Sequence, residues 1–381
     1  MRMSSRGQVD PFIVMDVMEA ARRAEAAGQR IIHMEVGQPG TPAPALARTA
    51  LARAMERDSL GYTVALGLPE LRAGIAGLCR RWYGVDIDPA RVIVTAGSSG
   101  AFLLAFSALF DAGDRVGVTE PGYPSYRQIL RAMSLQPVGI PTHAADRHQP
   151  RPEAIAAAHP LAGLILASPG NPTGTMLPRE TLADHAAAAQ AAGTALISDE
   201  IYHGLHYDAP AVSALEVTDE VVVINSFSKY FSMTGWRIGW MVVPEAMVRT
   251  VERLAQNLFI CPPHASQVAA LAALDATEEL EANRAVYARN RALLLDGLPK
   301  AGFDRIAPPD GAFYIYADVS HLTPNSRAFA AEMLEGCGVA ATPGLDFDPL
   351  RGHGTLRFSY ARATADIEEG LDRLTRWMGR R

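Results

Sequence analysis

Cysteine is scarce in this chain. Cys79, Cys261 and Cys337 are the only three among 381 residues, far apart and never in a CxxC pair. Three scattered thiols exclude a disulfide framework and a zinc ribbon, and they suit a reducing compartment. Long apolar runs are missing too, since none approaches the ~20 residues a membrane-spanning helix needs. The opening MRMSSRGQVDPFIVMDV is polar, and Asp10 and Asp16 flank its short apolar patch, so it does not read as a signal peptide. A cytoplasmic protein without membrane attachment is expected. Positive charge is not in excess: 35 Lys and Arg face 41 Asp and Glu, a net charge of −6, which offers no field for gathering nucleic acid. A small-molecule substrate is the better expectation. No repeat of fixed period is visible, and the alanine-rich stretches 154–158 and 186–192 read as helix surface.

What is present is the balance of a soluble globular protein, with 49% hydrophobic and 20% charged residues. The length exceeds one typical domain, which predicts a large core and a smaller lobe. Near-continuous apolar runs at Val92–Thr95, Arg115–Thr119, Gly163–Ala167, Thr194–Ser198, Val221–Asn225 and Ile238–Val243 read as strands buried on both faces of a mainly parallel sheet. Helical patterns at Ser99–Phe110 and Arg179–Ala192 alternate with them, which argues an α/β fold. A charged helix at Glu278–Leu298 leads to strand-like pieces at Ala312–Asp318 and Gly354–Ser359 and a closing helix at Thr364–Met378. The first 40 residues carry a helix, Pro11–Ala27, and a short strand, Ile31–Glu35, with nothing nearby to pack on. Both chain ends are therefore expected to join in the smaller lobe. The expected division is 1–44 as N-terminal segment, 45–283 as large domain and 284–381 as small C-terminal domain.

Lys229 follows the strand Val221–Asn225 in the run Asn225-Ser226-Phe227-Ser228-Lys229, at the sheet edge where ligands bind in open α/β folds. A lysine there can be partly desolvated, which favours the neutral amine that attacks an aldehyde. Alone, such a lysine is ordinarily a solvated loop charge, but its neighbours argue otherwise. Arg237, with Ser226 and Ser228, can offer charge-assisted hydrogen bonds to a phosphate. Thr95-Ala96-Gly97-Ser98-Ser99-Gly100 joins a strand to a helix, where glycines admit an anion to unpaired N–H groups, although an ordinary serine N-cap explains it as well. Asp199 and Glu200 end another strand, and a carboxylate there requires a cation or donor, such as a pyridinium nitrogen. Asp199, Glu200, His203, His206 and Asp208 also crowd together as a metal set would, though without a familiar ligand spacing. A solvated turn explains the histidines more simply. Ser168-Pro169-Gly170-Asn171-Pro172-Thr173-Gly174 is a rigid turn that can fix the Asn171 amide against a ligand oxygen, or is structural only.

Together SFSKYFSMTGWRIG (226–239), SPGNPTG (168–174) and SDEIY (198–202) resemble the signatures of the class I/II aminotransferases of fold-type I, and the resemblance runs over nearly the whole chain. It implies a mixed, mainly parallel seven-stranded sheet flanked by helices, plus a smaller α+β domain formed by both chain ends. It implies pyridoxal 5′-phosphate as cofactor, amino acid and 2-oxo acid as substrates, and a homodimer with shared active sites. Lys229 resembles the Schiff-base lysine that then shuttles the proton, and Asp199 the partner of the pyridinium nitrogen. Asn171 and Tyr202 resemble the donors to the ring oxygen, and Tyr123 the aromatic stacked on the ring. Ser98, Ser99, Ser226 and Arg237 resemble the phosphate cup, joined by Tyr62 reaching from the neighbouring subunit. Arg357 resembles the clamp on the substrate α-carboxylate, assisted by the backbone of Gly37. Gly40 and Gly100 depart from the usual pattern.

The resemblance implies a ping-pong exchange of an amino group. A C–S β-lyase on the same fold is the nearest alternative, because the same lysine and carboxylate serve both. A metal hydrolase and a DNA-binding regulator are weaker; the residues before Gly37 are too few for a DNA-binding domain. The apolar run Pro11-Phe12-Ile13-Val14 favours a hydrophobic or aromatic amino donor.

Overall fold

The six apolar runs become six strands of one seven-stranded sheet in a computed structural model that describes residues 1–381. Across the sheet the strands run Val92–Thr95, Gly239–Val242, Val222–Ser226, Ala195–Asp199, Gly163–Ala167, Arg115–Glu120 and Gln136–Pro141. All neighbours are parallel except Gly239–Val242, which is antiparallel to both of its partners. Those two reversals restore Val92–Thr95 to the common direction, so Thr95, Ser226, Asp199 and Ala167 all end at one edge. The central strands are buried along almost their whole length, as two-faced helix cover requires.

The seventh strand, Gln136–Pro141, has no apolar-run signature. Pro137, Gly139 and Pro141 argue against a strand, and the structure tolerates them because this strand lies at the edge and pairs only with Arg115–Glu120. Helix Gly97–Leu109 begins two residues earlier than its sequence pattern suggests, and the expected helices are present as Thr277–Lys300 and Thr364–Met378, which pack together.

Beside this sheet lies an antiparallel four-stranded one, in the order Thr342–Pro343, Thr355–Ser359, Tyr314–Asp318 and Arg305–Ile306. The N-terminal strand Ile32–His33 pairs in parallel with Val339–Ala340, and Ser359 N–H donates to Met34 O at 2.7 Å, so the two chain ends meet here. The helix Ile13–Ala26 rests on the same region over a thin apolar contact that includes Ala21, Ile31, Leu334 and Ala340. No helix is long and apolar enough to cross a membrane.

Candidate active site

Lys229 lies just beyond the end of Val222–Ser226, where Phe227 plugs the core and turns the chain back toward the second sheet. Its Nζ donates to Gly37 O at 2.7 Å and stands 5.7 Å from the Tyr202 ring centre and 6.0 Å from that of Phe313. Burial lowers the Lys229 pKa from its ordinary 10.5 to about 8, helped by the Arg357 and Arg237 cations and opposed by Asp199. At neutral pH a useful fraction of this amine is thus unprotonated and nucleophilic.

Asp199 is 3% exposed at the end of its strand. Burial pushes its pKa up to about 6, restrained by the Tyr126 hydroxyl and the Ile201 N–H, which donate to its two oxygens, and by the nearby Lys229 charge. No cation is hydrogen-bonded to it, which is the vacancy in charge that a protonated ring nitrogen satisfies. Arg357 is buried on the strand Thr355–Ser359. It donates through Nη1 to Asn171 Oδ1 at 2.8 Å and through Nη2 to Glu35 O at 2.5 Å and Thr342 Oγ1 at 3.3 Å. Three of its five N–H donors are taken, and the buried Nε–H has no partner, as expected of a clamp waiting for a carboxylate. The rings of Tyr314 and Phe347 lie 4.3 and 4.7 Å from its guanidinium carbon. With Asn171 Oδ1 turned to Arg357, its Nδ2 has no hydrogen bond in the chain and remains a donor.

At the other end, Gly97 opens a helix whose N-cap, Ala96, has no side-chain acceptor, so the first-turn N–H groups of Ser98 and Ser99 point outward uncapped. The two serines therefore lie within the first turn rather than at the cap. Gly97 has φ +70°, and a Cβ on it would sit 2.4 Å from Arg237 Nη2, so only glycine lets the guanidinium close on the helix end. Ser226 joins them because its register partner Gly239 is also the partner of Thr95, and Ser226 Oγ accepts from Ser228 N–H at 3.2 Å. This cradle of uncapped N–H groups, hydroxyls and one arginine suits a phosphate. Tyr123 stands between the two ends, close enough to Asp199, Arg237 and Arg357 to feel all three charges.

Tyr62 is not brought in. It is 83% exposed and makes no hydrogen bond to the others within this chain. The metal reading is overturned by geometry: no group of three or more His, Cys, Asp or Glu side chains is placed to hold an ion. His203 is not in a solvated turn but 1% exposed, with Tyr83 Oη at 2.6 Å from Nδ1 and Ser168 O at 2.9 Å from Nε2. Glu200 accepts instead from Ser198, Ser213 and Ala214 N–H, while Asp208 pairs with Arg291.

Sequence reasoning missed Tyr126, Tyr314 and Phe347. Tyr126 lies in the first turn of the helix Pro124–Ala132 that Tyr123 caps, with the two ring centres 5.3 Å apart, and its closeness in sequence to Tyr123 was a usable signal. Tyr314 and Phe347 reach the site through strand pairing and a loop far along the chain, and nothing local marks them.

A buried acid without a cation, a desolvated lysine, an uncapped helix end and an unpartnered arginine N–H together suit pyridoxal 5′-phosphate and an amino acid. The sequence profile of the family "Aminotransferase class I and II" matches residues 29–374. The valine–pyruvate aminotransferase of Mycobacterium tuberculosis is 49% identical over 99% of this chain and 98% of its own, and the aspartate/prephenate aminotransferase of Thermus thermophilus is 33% identical over 97% of both. Among solved structures, an M. tuberculosis aminotransferase superposes with TM-score 0.98 at 48% identity, over the whole of both chains. A Silicibacter pomeroyi protein, whose aminotransferase assignment is itself provisional, gives 0.96 at 68% identity, also over the whole of both chains. None of these likenesses supports a β-lyase or a metal hydrolase. This chain therefore belongs to the class I and II aminotransferases, and is a pyridoxal-phosphate-dependent enzyme that exchanges an amino group between an amino acid and a 2-oxo acid.

Proposed function

We propose that the amino donor has an apolar, branched aliphatic side chain such as valine, with pyruvate or a similar small 2-oxo acid as the exchange partner. The observation that carries this reading is the N-terminal segment, which brings the Phe12 ring edge-on to Tyr123 at 6.0 Å between centres. That places an apolar surface, continued by Ile13 and Val14, beside the ring at the heart of the site. The valine–pyruvate activity of the 49%-identical relative points the same way. A panel of valine, leucine, phenylalanine and aspartate with pyruvate tests it, and a clear preference for aspartate ends it.

When bound, pyridoxal 5′-phosphate supplies an aldehyde that takes up the amino group and a protonated ring that accepts the electron pair left at Cα. With the cofactor bound, the Lys229 amine would serve as the base that takes up and gives back the substrate Cα proton. Asp199 keeps the ring nitrogen protonated, and Tyr126 holds the Asp199 carboxylate in its ionised form. Asn171 Nδ2 and the Tyr202 hydroxyl would be the donors to the ring oxygen, and Tyr123 would supply the aromatic face against the ring. Ser98, Ser99, Ser226 and Arg237 hold the phosphate, whose charge the helix end at Gly97 favours. Arg357 orients the substrate α-carboxylate through its unused N–H donors, and the Gly37 carbonyl steadies the Lys229 amine between turns. Two half-reactions then share one site, which is the ping-pong sequence.

The chain forms a homodimer in which Tyr62 of one subunit reaches the phosphate of the other. Support comes from the exposed apolar side chains Leu46, Met55, Val64, Leu258 and Ile260, which flank Tyr62 in adjoining segments. Division into 1–44, 45–283 and 284–381 accords with the two sheets, and three free thiols suit a cytoplasmic location.

A further inference from the structure

Tyr314 touches three separate parts of the site. It lies at the start of the strand Tyr314–Asp318, opposite Ser359 and diagonal to Arg357, so its ring can cover the Arg357 guanidinium at 4.3 Å. Its hydroxyl lies 2.8 Å from that of Tyr202, with both phenols buried. A Cβ on Gly37 would sit 1.9 Å from the Tyr314 oxygen, so the Tyr314 hydroxyl is the reason position 37 must be glycine. Gly37 in turn accepts from Lys229. One side chain thus meets the residues assigned to the cofactor's ring oxygen, the substrate carboxylate and the amine.

A phenol has one proton. If Tyr202 spends its proton on the ring oxygen, the contact at 2.8 Å persists only with Tyr314 as donor and the Tyr202 oxygen as acceptor. Burial pushes both phenols above their ordinary range, so each keeps its proton at neutral pH. In a dry site such a chain is cooperative: accepting from Tyr314 makes Tyr202 a stronger donor. We propose that Tyr314 is a positioning residue for transamination, whose hydroxyl directs the Tyr202 proton toward the cofactor's ring oxygen while its ring holds Arg357 in place. This rests on the reading of Tyr202 as a donor to that oxygen.

The test is the pH midpoint of the visible absorbance change of the holoenzyme, for the wild type, Tyr314→Phe, Tyr202→Phe and the double variant. A donor at the ring oxygen steadies negative charge there and loosens that oxygen's hold on the proton of the Lys229 imine, so losing the donor raises the midpoint. Tyr202→Phe is expected to raise it most, and Tyr314→Phe by roughly half a unit. In the Tyr202→Phe background the second substitution should add nothing. Because Tyr314→Phe keeps the ring on Arg357, KM for the amino donor should stay within about twofold while kcat falls by roughly threefold or more. A shift with Tyr202→Phe but none with Tyr314→Phe, or additive shifts in the double variant, overturns the role of Tyr314. No shift with Tyr202→Phe overturns the reading of Tyr202, and the relay with it.

Discussion

At the scale of single residues, the account turns on two desolvated groups of opposite sign, Lys229 and Asp199. The amine must be neutral to attack, so the rate at which apoenzyme captures pyridoxal phosphate should rise with pH and level off above a midpoint near 8, the value to which burial lowers Lys229. A rate that is flat from pH 6 to ~10 contradicts that environment. Asp199→Asn removes the counter-charge to the ring nitrogen and should cost about 10²-fold or more in kcat while leaving the cofactor bound. Arg357→Ala should raise KM for amino acids by roughly 10²-fold, because a charge-assisted pair of hydrogen bonds is lost; an unchanged KM removes Arg357 from the site. The residues proposed for the chemistry were legible as candidates because most sit in a short run whose glycines, prolines or hydroxyls restrict what the loop can do. Those that position them were not. Tyr314 looks like any strand aromatic until strand pairing sets it on Arg357, and Glu35 contributes only a backbone oxygen, which no side-chain pattern reveals.

Among elements, the helix Ile13–Ala26 adds polar ties to its thin apolar contact. Its own N-cap, Phe12, offers no acceptor, and Asp346 does the work from the far end of the chain, with its two oxygens accepting from Ile13 N–H at 3.0 Å and Val14 N–H at 3.2 Å. Arg127 donates to Asp346 O and Phe347 O, so the cap is tied to the helix that carries Tyr123 and Tyr126. Asp346→Ala should therefore destabilise this helix by about 1 kcal/mol, the usual worth of a cap, and speed amide exchange selectively over residues 13–26. Because Phe12 immediately precedes that helix, KM for apolar donors should rise as well. A second tie is His33, whose imidazole lies between Glu35 at 2.8 Å and Glu25 at 3.0 Å. The hydrogen bond to Glu35, then that to Glu25, hold its pKa up at about 9. A raised folded-state value means this contribution is complete below the unfolded pKa of about 6.5 and is lost as pH climbs through 9. The melting temperatures of wild type and His33→Gln should differ at neutral pH and converge above about 9; a gap that widens with pH has the wrong sign. Most elements were readable because buried strands and amphipathic helices write their period into the chain. Others went unmarked, among them the helices Ala45–Arg57, Pro69–Tyr83 and Ser326–Cys337 and the strand Gln136–Pro141, which is stabilised by one neighbour at an edge that excuses its prolines, and edges are a tertiary fact.

For the whole molecule, the proposed dimer draws its support from the exposed side chains of Leu46, Met55, Tyr62, Val64, Leu258 and Ile260. Sedimentation should give about twice 40.8 kDa, and Leu258→Glu with Ile260→Glu should return the monomer and loosen the cofactor together. A fully active monomer contradicts the shared site. Tyr62 was named from resemblance alone, and the geometry of one chain leaves it exposed and outside the site. Everything rests on where the cofactor is bound covalently. Borohydride reduction of the holoenzyme, followed by peptide mass mapping, should place the pyridoxyl group on Lys229 alone. Its recovery on Lys300, or on no lysine when the protein is saturated with pyridoxal phosphate, contradicts the account.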